Sequence, residues 1–447
     1  MLKAIKDQRE TMKKAGIVTY DIRRKRLISL QKAIKKYEKD IYEALFFDLK
    51  KDEWEVFVTE LSIVYEELHF ALKHLKRWMK PKRIKSALVQ FPAKNFTVQD
   101  PYGQVLIMSP WNYPLQLTLV PLIGALAAGN VVVVKPSAYA PKIAEVMKAI
   151  IEEAFSPQEV LLFLGGRKVN EEILKGQYDM IFFTGSPEVG KVVMRRASET
   201  LTPIVLELGG KSPFIITEDA DIPLTIRRLK FAKLINNGQT CVAPDYVLMD
   251  AKHLPRFNEF VEAFDLFPDE EERMPKIINE KHYLRLKSYL VELGIPHFVD
   301  NEAMIKPTLV LNPPLDAKVM QEEIFGPILP IIIYENLDEA ISFINERPKP
   351  LALYLFTKSS KTIKKVLQST SSGSFGINDA VVQLANPHFP FGGVGNSGMG
   401  AYHGIHSFKA FSHQKAVLHK SRYFDFRFRY DVGPKTVGIF KKLTRVK

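Results

Sequence analysis

The chain of 447 residues holds a single cysteine, Cys241. That excludes an intramolecular disulfide and any cysteine-rich metal site, and no metal is expected. A lone free thiol suits a reducing compartment, so the cytoplasm is the expected location. An uninterrupted apolar run of membrane-spanning length is also missing. The most apolar stretch, residues 115–134, is interrupted by Gln116, Pro121, two glycines and Asn130, and reads as a buried helix followed by a strand. The basic N-terminus leads to no apolar core with a small-residue cleavage site, so no signal peptide is expected. Zinc-finger spacing, an RNA-recognition signature and a leucine zipper are absent, which removes nucleic acid as an expected partner despite the net charge of +13. With neither an internal repeat nor a low-complexity linker, the domains should pack closely.

The positive charge is terminal. Residues 1–90 carry 22 Lys/Arg against 13 Asp/Glu, and residues 422–447 carry 8 against 2. The tail mixes that charge with Tyr423, Phe424, Phe426, Phe428, Tyr430 and Phe440. Two readings suit it: weak peripheral contact with an anionic membrane surface, or a packed tail in which Phe424, Phe426 and Phe428 alternate as in a half-buried strand.

A chain of this length exceeds what one hydrophobic core serves, so two or more domains are expected. From residue 23 to 49, Leu27, Leu30, Ile34, Tyr37, Ile41 and Leu45 recur between lysines as on an amphipathic helix, and Val58, Leu61, Val64, Leu68, Leu72 and Leu75 repeat the pattern. The texture then changes to short apolar runs at 104–108, 131–134, 160–164, 180–183, 204–206 and 214–216, separated by helical spans such as 142–155 and 189–199. This alternation predicts a doubly wound α/β domain, with a second α/β unit from Gly210 to about residue 410 carrying Cys241. Ligand is expected at the carboxyl ends of the first strands, where the loops of Trp111, Ser137 and Gly185 would gather.

Cys241 lies in Asn237-Gly238-Gln239-Thr240-Cys241-Val242-Ala243-Pro244, where glycine allows close approach and flanking amides can serve an oxyanion. A thiolate nucleophile and a small buried hydrophobe are both compatible with the residue alone. Glu207, at the end of an apolar strand before Gly209-Gly210-Lys211, suits a general base raised by desolvation, or an ion pair with Lys211. Asn112, in Pro110-Trp111-Asn112-Tyr113-Pro114, is a neutral donor fit for an oxyanion or a turn residue. Gly185 and Ser186 join a strand to a helix and can receive a pyrophosphate, although the loop is not G-x-G-x-x-G. Glu323 and Phe325 offer an acid and a ring close together, and the glycine-rich stretch 390–398 reads alone as a surface turn.

Together, PWNYP at 110–114, KPS at 135–137, FTGS at 183–186, LELGGKSP at 206–213, NGQTCVAPDYV at 237–247, EEIFGP at 322–327 and PFGGVGNSG at 390–398 resemble the aldehyde dehydrogenase superfamily over about residues 20–420. Ala243-Pro244-Asp245-Tyr246 and Tyr402-His403-Gly404 look like its class 3, fatty or aromatic aldehyde, branch. The resemblance implies a Rossmann-like NAD(P)-binding domain (1–86 and 101–207), an α/β catalytic domain (208–410), and a small β bridging element with a tail (87–100 and 411–447), assembled as a homodimer. It implies that Cys241 attacks the aldehyde, that Asn112 and the Cys241 amide hold the oxyanion, and that Glu207 activates the water that hydrolyses the thioester to a carboxylic acid. It further implies that Lys135 and the Ser137 turn meet the adenosine ribose, Gly185 and Ser186 the pyrophosphate, Glu323 the nicotinamide ribose and Phe325 the ring. Many relatives have Lys-Pro-Ser-Glu where this chain has Lys135-Pro136-Ser137-Ala138. An acid there would repel a 2′-phosphate, so Ala138 predicts that NADP is accepted beside NAD. A CoA-acylating reductase and a catalytically silent membrane-associated scaffold remain the alternatives.

Overall fold

The computed structural model describes residues 1–299, 304–426, 429–430 and 433–443. Two six-stranded sheets carry the architecture. The first is built from β1 (Gln104–Met108), β2 (Val131–Lys135), β3 (Val160–Leu162), β4 (Met180–Gly185) and β5 (Ile204–Leu208), the second from β6 (Ser212–Ile216), β7 (Pro244–Asp250), β8 (Thr308–Leu311), β9 (Ile328–Tyr334), β10 (Ala352–Phe356) and β11 (Ser374–Ile377). A short strand, β12 (Gly398–Met399), returns from the second half of the chain to the first sheet.

The first sheet runs β12-β5-β4-β1-β2-β3, parallel except for β12. The valine run of β2 is buried throughout, as a strand covered on both faces requires. The chain steps from β1 to β2 to β3 and then crosses back to β4 on the other side of β1. A crevice therefore opens between the loops that follow β1 and β4, which carry Asn112 and Gly185-Ser186. The second sheet, β8-β9-β7-β6-β10-β11, is parallel throughout. Only Gly209, Gly210 and Lys211 separate β5 from β6, so the carboxyl edge of one sheet faces the amino edge of the next.

The helix Gln116–Ala128 is buried along its whole length and stops at Gly129, whose φ of 97° lets the chain reverse into β2. The amphipathic stretch expected over 23–49 is two helices, Tyr20–Lys36 and Glu38–Leu49, which meet at Tyr37. Acidic Glu38 and Asp40 in the first turn favour the second start. Leu27, Leu30, Ile34, Ile41 and Leu45 are buried as their spacing requires.

A third sheet lies apart from the crevice. Ala93–Pro101 pairs antiparallel with Lys82–Ile84 on one side and with Ser412–Lys420 on the other, from Ser412 opposite Pro101 to Lys420 opposite Ala93. The strand expected over Phe424, Phe426 and Phe428 is not formed by the described part of the tail. The Ser421 N–H still donates to the Pro92 carbonyl at 3.1 Å, but beyond it no described residue pairs in a sheet, Tyr423 and Phe424 are exposed, and a helix follows at Pro434–Leu443. An alternating pattern cannot make a strand without a neighbour to pair with. Phe428 lies outside the described residues. Among the described residues no helix is long and apolar enough to cross a membrane.

Candidate active site

Glu207 is the penultimate residue of β5 and Cys241 lies three residues before β7, so the facing edges of the two sheets bring them to one place. The loop before Cys241 needs an unusual backbone. Asn236, Asn237 and Gly238 are all left-handed, with φ of 50°, 54° and 72°. Each such non-glycine residue costs about 1–2 kcal/mol, least for asparagine, and side-chain bonds hold the conformation. Asn237 Nδ2 donates to the Pro275 carbonyl at 2.8 Å, and Gln239 Nε2 donates to the Lys276 carbonyl at 3.0 Å. A Cβ on Gly238 would lie 2.3 Å from the Gly326 oxygen, so glycine is what allows the nucleophile loop to touch the Phe325-Gly326 segment.

Cys241 is partly exposed, yet close packing and the charges of Glu323 and Glu207 push its thiol up to about 12. Both carboxyl oxygens of Glu207 are buried without a hydrogen-bond partner, and burial holds the group well above the usual carboxylate range. The Lys211 ion pair that the sequence left open for Glu207 goes elsewhere: Lys211 contacts Asp245 and donates to the Val319 and Glu322 carbonyls. Asn112 is not confined to its own turn, because its Nδ2 donates to the Gln239 carbonyl at 3.1 Å, inside the nucleophile loop. The glycine-rich stretch is not a free surface turn either. Gly398 pairs with Glu207, the Leu208 N–H donates to the Ser397 carbonyl at 3.0 Å, and a Cβ on Gly398 would lie 2.1 Å from the Leu206 oxygen.

Two cavities meet at the thiol. A wide cleft of about 910 Å³ is lined by Asn112, Gly185, Ser186, Glu207, Cys241, Glu323 and Phe325, among others. Lys135, Ser137 and Ala138 stand outside its lining: Lys135 is buried at the end of β2, with burial lowering its ammonium to about 8, Ser137 Oγ accepts from the Tyr139 N–H, and Ala138 is exposed. Ser186 caps the helix Pro187–Ser198, accepting from the Val189 N–H, with proline in the first turn. Glu323 packs where Gly209 leaves room, since a Cβ at Gly209 would sit 2.0 Å from its Oε2. Burial and Asp245 raise Glu323 to about 8. Its Oε1 and the Thr184 hydroxyl are buried without partners at the cleft. Open space of dinucleotide scale, a helix N-terminus and unsatisfied polar atoms are what a nicotinamide dinucleotide requires, and the residues present fit one.

An apolar chamber of about 120 Å³ opens on the other side of Cys241, walled by Val58, Ile63, Phe231, Ile235, Val381 and Leu384, with Tyr113, Tyr402 and His403 also lining it. Sequence reasoning assigned none of these to a site. Tyr113, Tyr402 and His403 lay in motifs without a role of their own, whereas the apolar wall residues come from separated segments with nothing local to mark them as a site. Trp111, whose ring meets Phe325 edge-on at 5.5 Å, was visible in its motif without a role.

The chain matches the model of the aldehyde dehydrogenase family over residues 1–417. It is 45% identical over 412 residues to 4,4'-diaponeurosporen-aldehyde dehydrogenase of Staphylococcus aureus (strain NCTC 8325 / PS 47), covering 89% of each chain. It is 43% identical over 407 residues to aldehyde dehydrogenase family 3 member H1 of Arabidopsis thaliana, covering 88% of this chain and 84% of that one. To the dimeric NADP-preferring aldehyde dehydrogenase of Rattus norvegicus it is 39% identical over 428 residues, covering 93% and 94%. Among solved structures, the substrate-bound state of Staphylococcus aureus AldH superposes with a TM-score of 0.94 at 41% identity over 99% of this chain and 98% of that one. An NAD+ complex of a Bacillus cereus aldehyde dehydrogenase gives 0.85 at 25% identity over 94% and 88%. The chain belongs to the aldehyde dehydrogenase family, on its class 3 branch, and oxidises aldehydes with NAD or NADP.

Proposed function

We propose that the enzyme oxidises apolar aliphatic or aromatic aldehydes to carboxylic acids by covalent catalysis at Cys241. One observation carries the reading: Cys241 lines both the wide cleft and the apolar chamber, so a carbonyl entering from one side meets the thiol where the dinucleotide ends on the other. The Cys241 thiol gives up its proton to solvent water, the sulfur attacks the carbonyl carbon to give a thiohemiacetal, and the Cys241 N–H with the second amide hydrogen of Asn112 stabilises its oxyanion. NAD(P) supplies the acceptor for the hydride that leaves that carbon, after which a thioester remains on Cys241. Glu207 then takes a proton from water, which attacks the thioester and releases the acid. A carboxylate raised by burial and free of any ion pair is suited to that transfer near neutral pH.

For the cofactor, Gly185 and Ser186 would face the pyrophosphate, Glu323 the nicotinamide ribose and Phe325 the ring. Lys135 and Ser137 would meet the adenosine ribose from the end of β2. With Ala138 in place of an acid, NADP is accepted beside NAD, in keeping with the rat relative named as NADP-preferring.

Glu207 weighs against CoA-dependent release, which has no use for a water-activating base. NAD(P)H formation with a panel of aldehydes, with and without CoA, tests the whole reading. Turnover without CoA is the expected result, and strict dependence on CoA would overturn it.

The assembly is a homodimer in this reading, bridged through the open edges of the sheet that contains Ser412–Lys420, and the setting is the cytoplasm. A weak membrane contact through the tail is supported by exposed Tyr423 and Tyr430 beside Arg422 and Arg429. Sedimentation of the full chain and of residues 1–421 with anionic liposomes tests it, and equal binding removes it.

A further inference from the structure

The segment that leads from Lys51 to Glu60 reaches both halves of the active site. The Lys51 and Glu60 side chains are fully buried and paired at 3.0 Å. Lys51 Nζ also donates to the Asn112 backbone carbonyl at 3.0 Å and stands 4.1 Å over the Tyr113 ring. Glu60 Oε2 accepts from the Leu115 and Gln116 N–H groups, at 3.0 Å each, where the helix after the Asn112 turn begins. The pair therefore grips the Asn112 turn at its carbonyl, its neighbouring ring and the start of the following helix. Five residues before Glu60, Glu55 Oε1 accepts from the Asn236 N–H at 2.7 Å, and Asn236 Nδ2 bridges the Asn112 and Gln239 carbonyls at 2.8 and 3.1 Å. Tyr113 and Thr240 share a hydroxyl bond of 2.6 Å.

A fully buried ion pair is seldom more stable than a well-packed apolar pair of similar volume, so stability alone gives little reason for one here. Geometry gives a better reason. Glu60 sits in a π-helical turn, Phe57–Leu61, a local distortion common at functional sites, and the same turn sends Val58 and Thr59 to the wall of the apolar chamber.

We propose that Lys51, paired with Glu60, is a positioning residue: it acts through the Asn112 carbonyl to hold the Asn112 amide in register with Cys241 as the oxyanion forms. The inference rests on the reading of Asn112 as an oxyanion donor. It predicts that disturbing the pair lowers kcat rather than substrate affinity, because a displaced donor is missed only in the transition state.

The test is a kinetic cycle with Asn112→Ala. Lys51→Met alone would leave Glu60 buried and unpaired, so Lys51→Met/Glu60→Gln is used instead, together with Lys51→Arg, which keeps the charge but changes its reach. Thermal melting and NAD(P) titration by tryptophan fluorescence confirm that each is folded. In the otherwise unaltered enzyme at least one of these variants should lose about ten- to a hundredfold in kcat with little change in aldehyde KM. In the Asn112→Ala background the same substitution should cost less than about threefold. An undiminished loss in that background, or unaltered kcat in both variants, overturns the positioning role while leaving Asn112 as a donor. If Asn112→Ala itself leaves kcat unchanged, the oxyanion reading fails first and the inference falls with it.

Discussion

The two cavities that share Cys241 are built in opposite ways. The cleft of about 910 Å³ is lined in good part by turns at strand ends, with glycines and with buried carboxyl oxygens that lack hydrogen-bond partners. The chamber of about 120 Å³ is made of apolar side chains from helices and loops scattered along the chain. A dinucleotide is bound by a few polar groups whose placement is demanding, whereas an apolar substrate is bound by shape alone. Chemistry should therefore be destroyed by single changes on the shared boundary, and selectivity tuned by small changes in the chamber.

The largest effect is expected at the boundary. Cys241→Ser should lower aldehyde oxidation about 10⁴-fold or more, while the protein still binds NAD(P), because the substitution removes the nucleophile and no part of the fold. Residual turnover within about tenfold of the unaltered enzyme would show that the two cavities do not meet at a reacting thiol.

Glu207→Gln should come next. Losing a general base costs about 10²–10⁴ in steady-state rate, but the thioester still forms, so a first-turnover burst of NAD(P)H should survive the loss. Because burial raises the Glu207 carboxyl well above the usual carboxylate range, lowering the pH protonates it and removes the base, so deacylation in the unaltered enzyme should quicken as pH rises through that raised range. The Cys241 thiol, held at about 12, moves acylation the same way. Stopped-flow rates separate the two: in Glu207→Gln the pH dependence of deacylation should flatten while that of the burst persists. A variant that loses burst and steady state equally would place Glu207 in acylation instead.

The same contrast explains what was legible in the sequence. The strands at 104–108, 131–134 and 180–183 announced themselves because parallel strands buried on both faces must be continuous apolar runs. Glu207, Cys241 and Asn112 stood out because each interrupts such texture beside glycine or proline. The chamber had no such mark: Val58 and Val381 look like any core valine until the fold brings them to one wall. Lys51 was equally silent, since a buried lysine reads as one more charge on a helical surface until its three partners are in place. The tail misled for the complementary reason, because alternation at Phe424 and Phe426 describes a strand's faces and says nothing about a neighbour.

At the adenosine end of the cleft the expected effect is moderate. Ala138→Glu would return a negative charge beside the ribose position and should lower kcat/KM for NADP about ten- to a hundredfold while leaving NAD nearly unchanged. Ala138 is exposed and outside the cleft lining, so solvent screening sets the lower end of that range. A native preference for NAD above about a hundredfold would mean that something other than this position decides between the cofactors.

The smallest effect should fall within the chamber, and it is the sharpest measure of how the two cavities differ. Leu384 lines the chamber and not the cleft that carries the chemistry. Shortening it to alanine removes apolar surface that only a substrate long enough to reach it would bury, at roughly 1–3 kcal/mol for a group or two in a hydrophobic pocket. A medium-chain aldehyde should then lose about tenfold in kcat/KM, mainly through KM, while acetaldehyde and the rate of Cys241 alkylation by iodoacetamide stay the same. A proportional loss for both aldehydes would mean that the chamber wall also sets the geometry of the thiol, and that the division between a chemical boundary and a passive apolar wall is drawn in the wrong place.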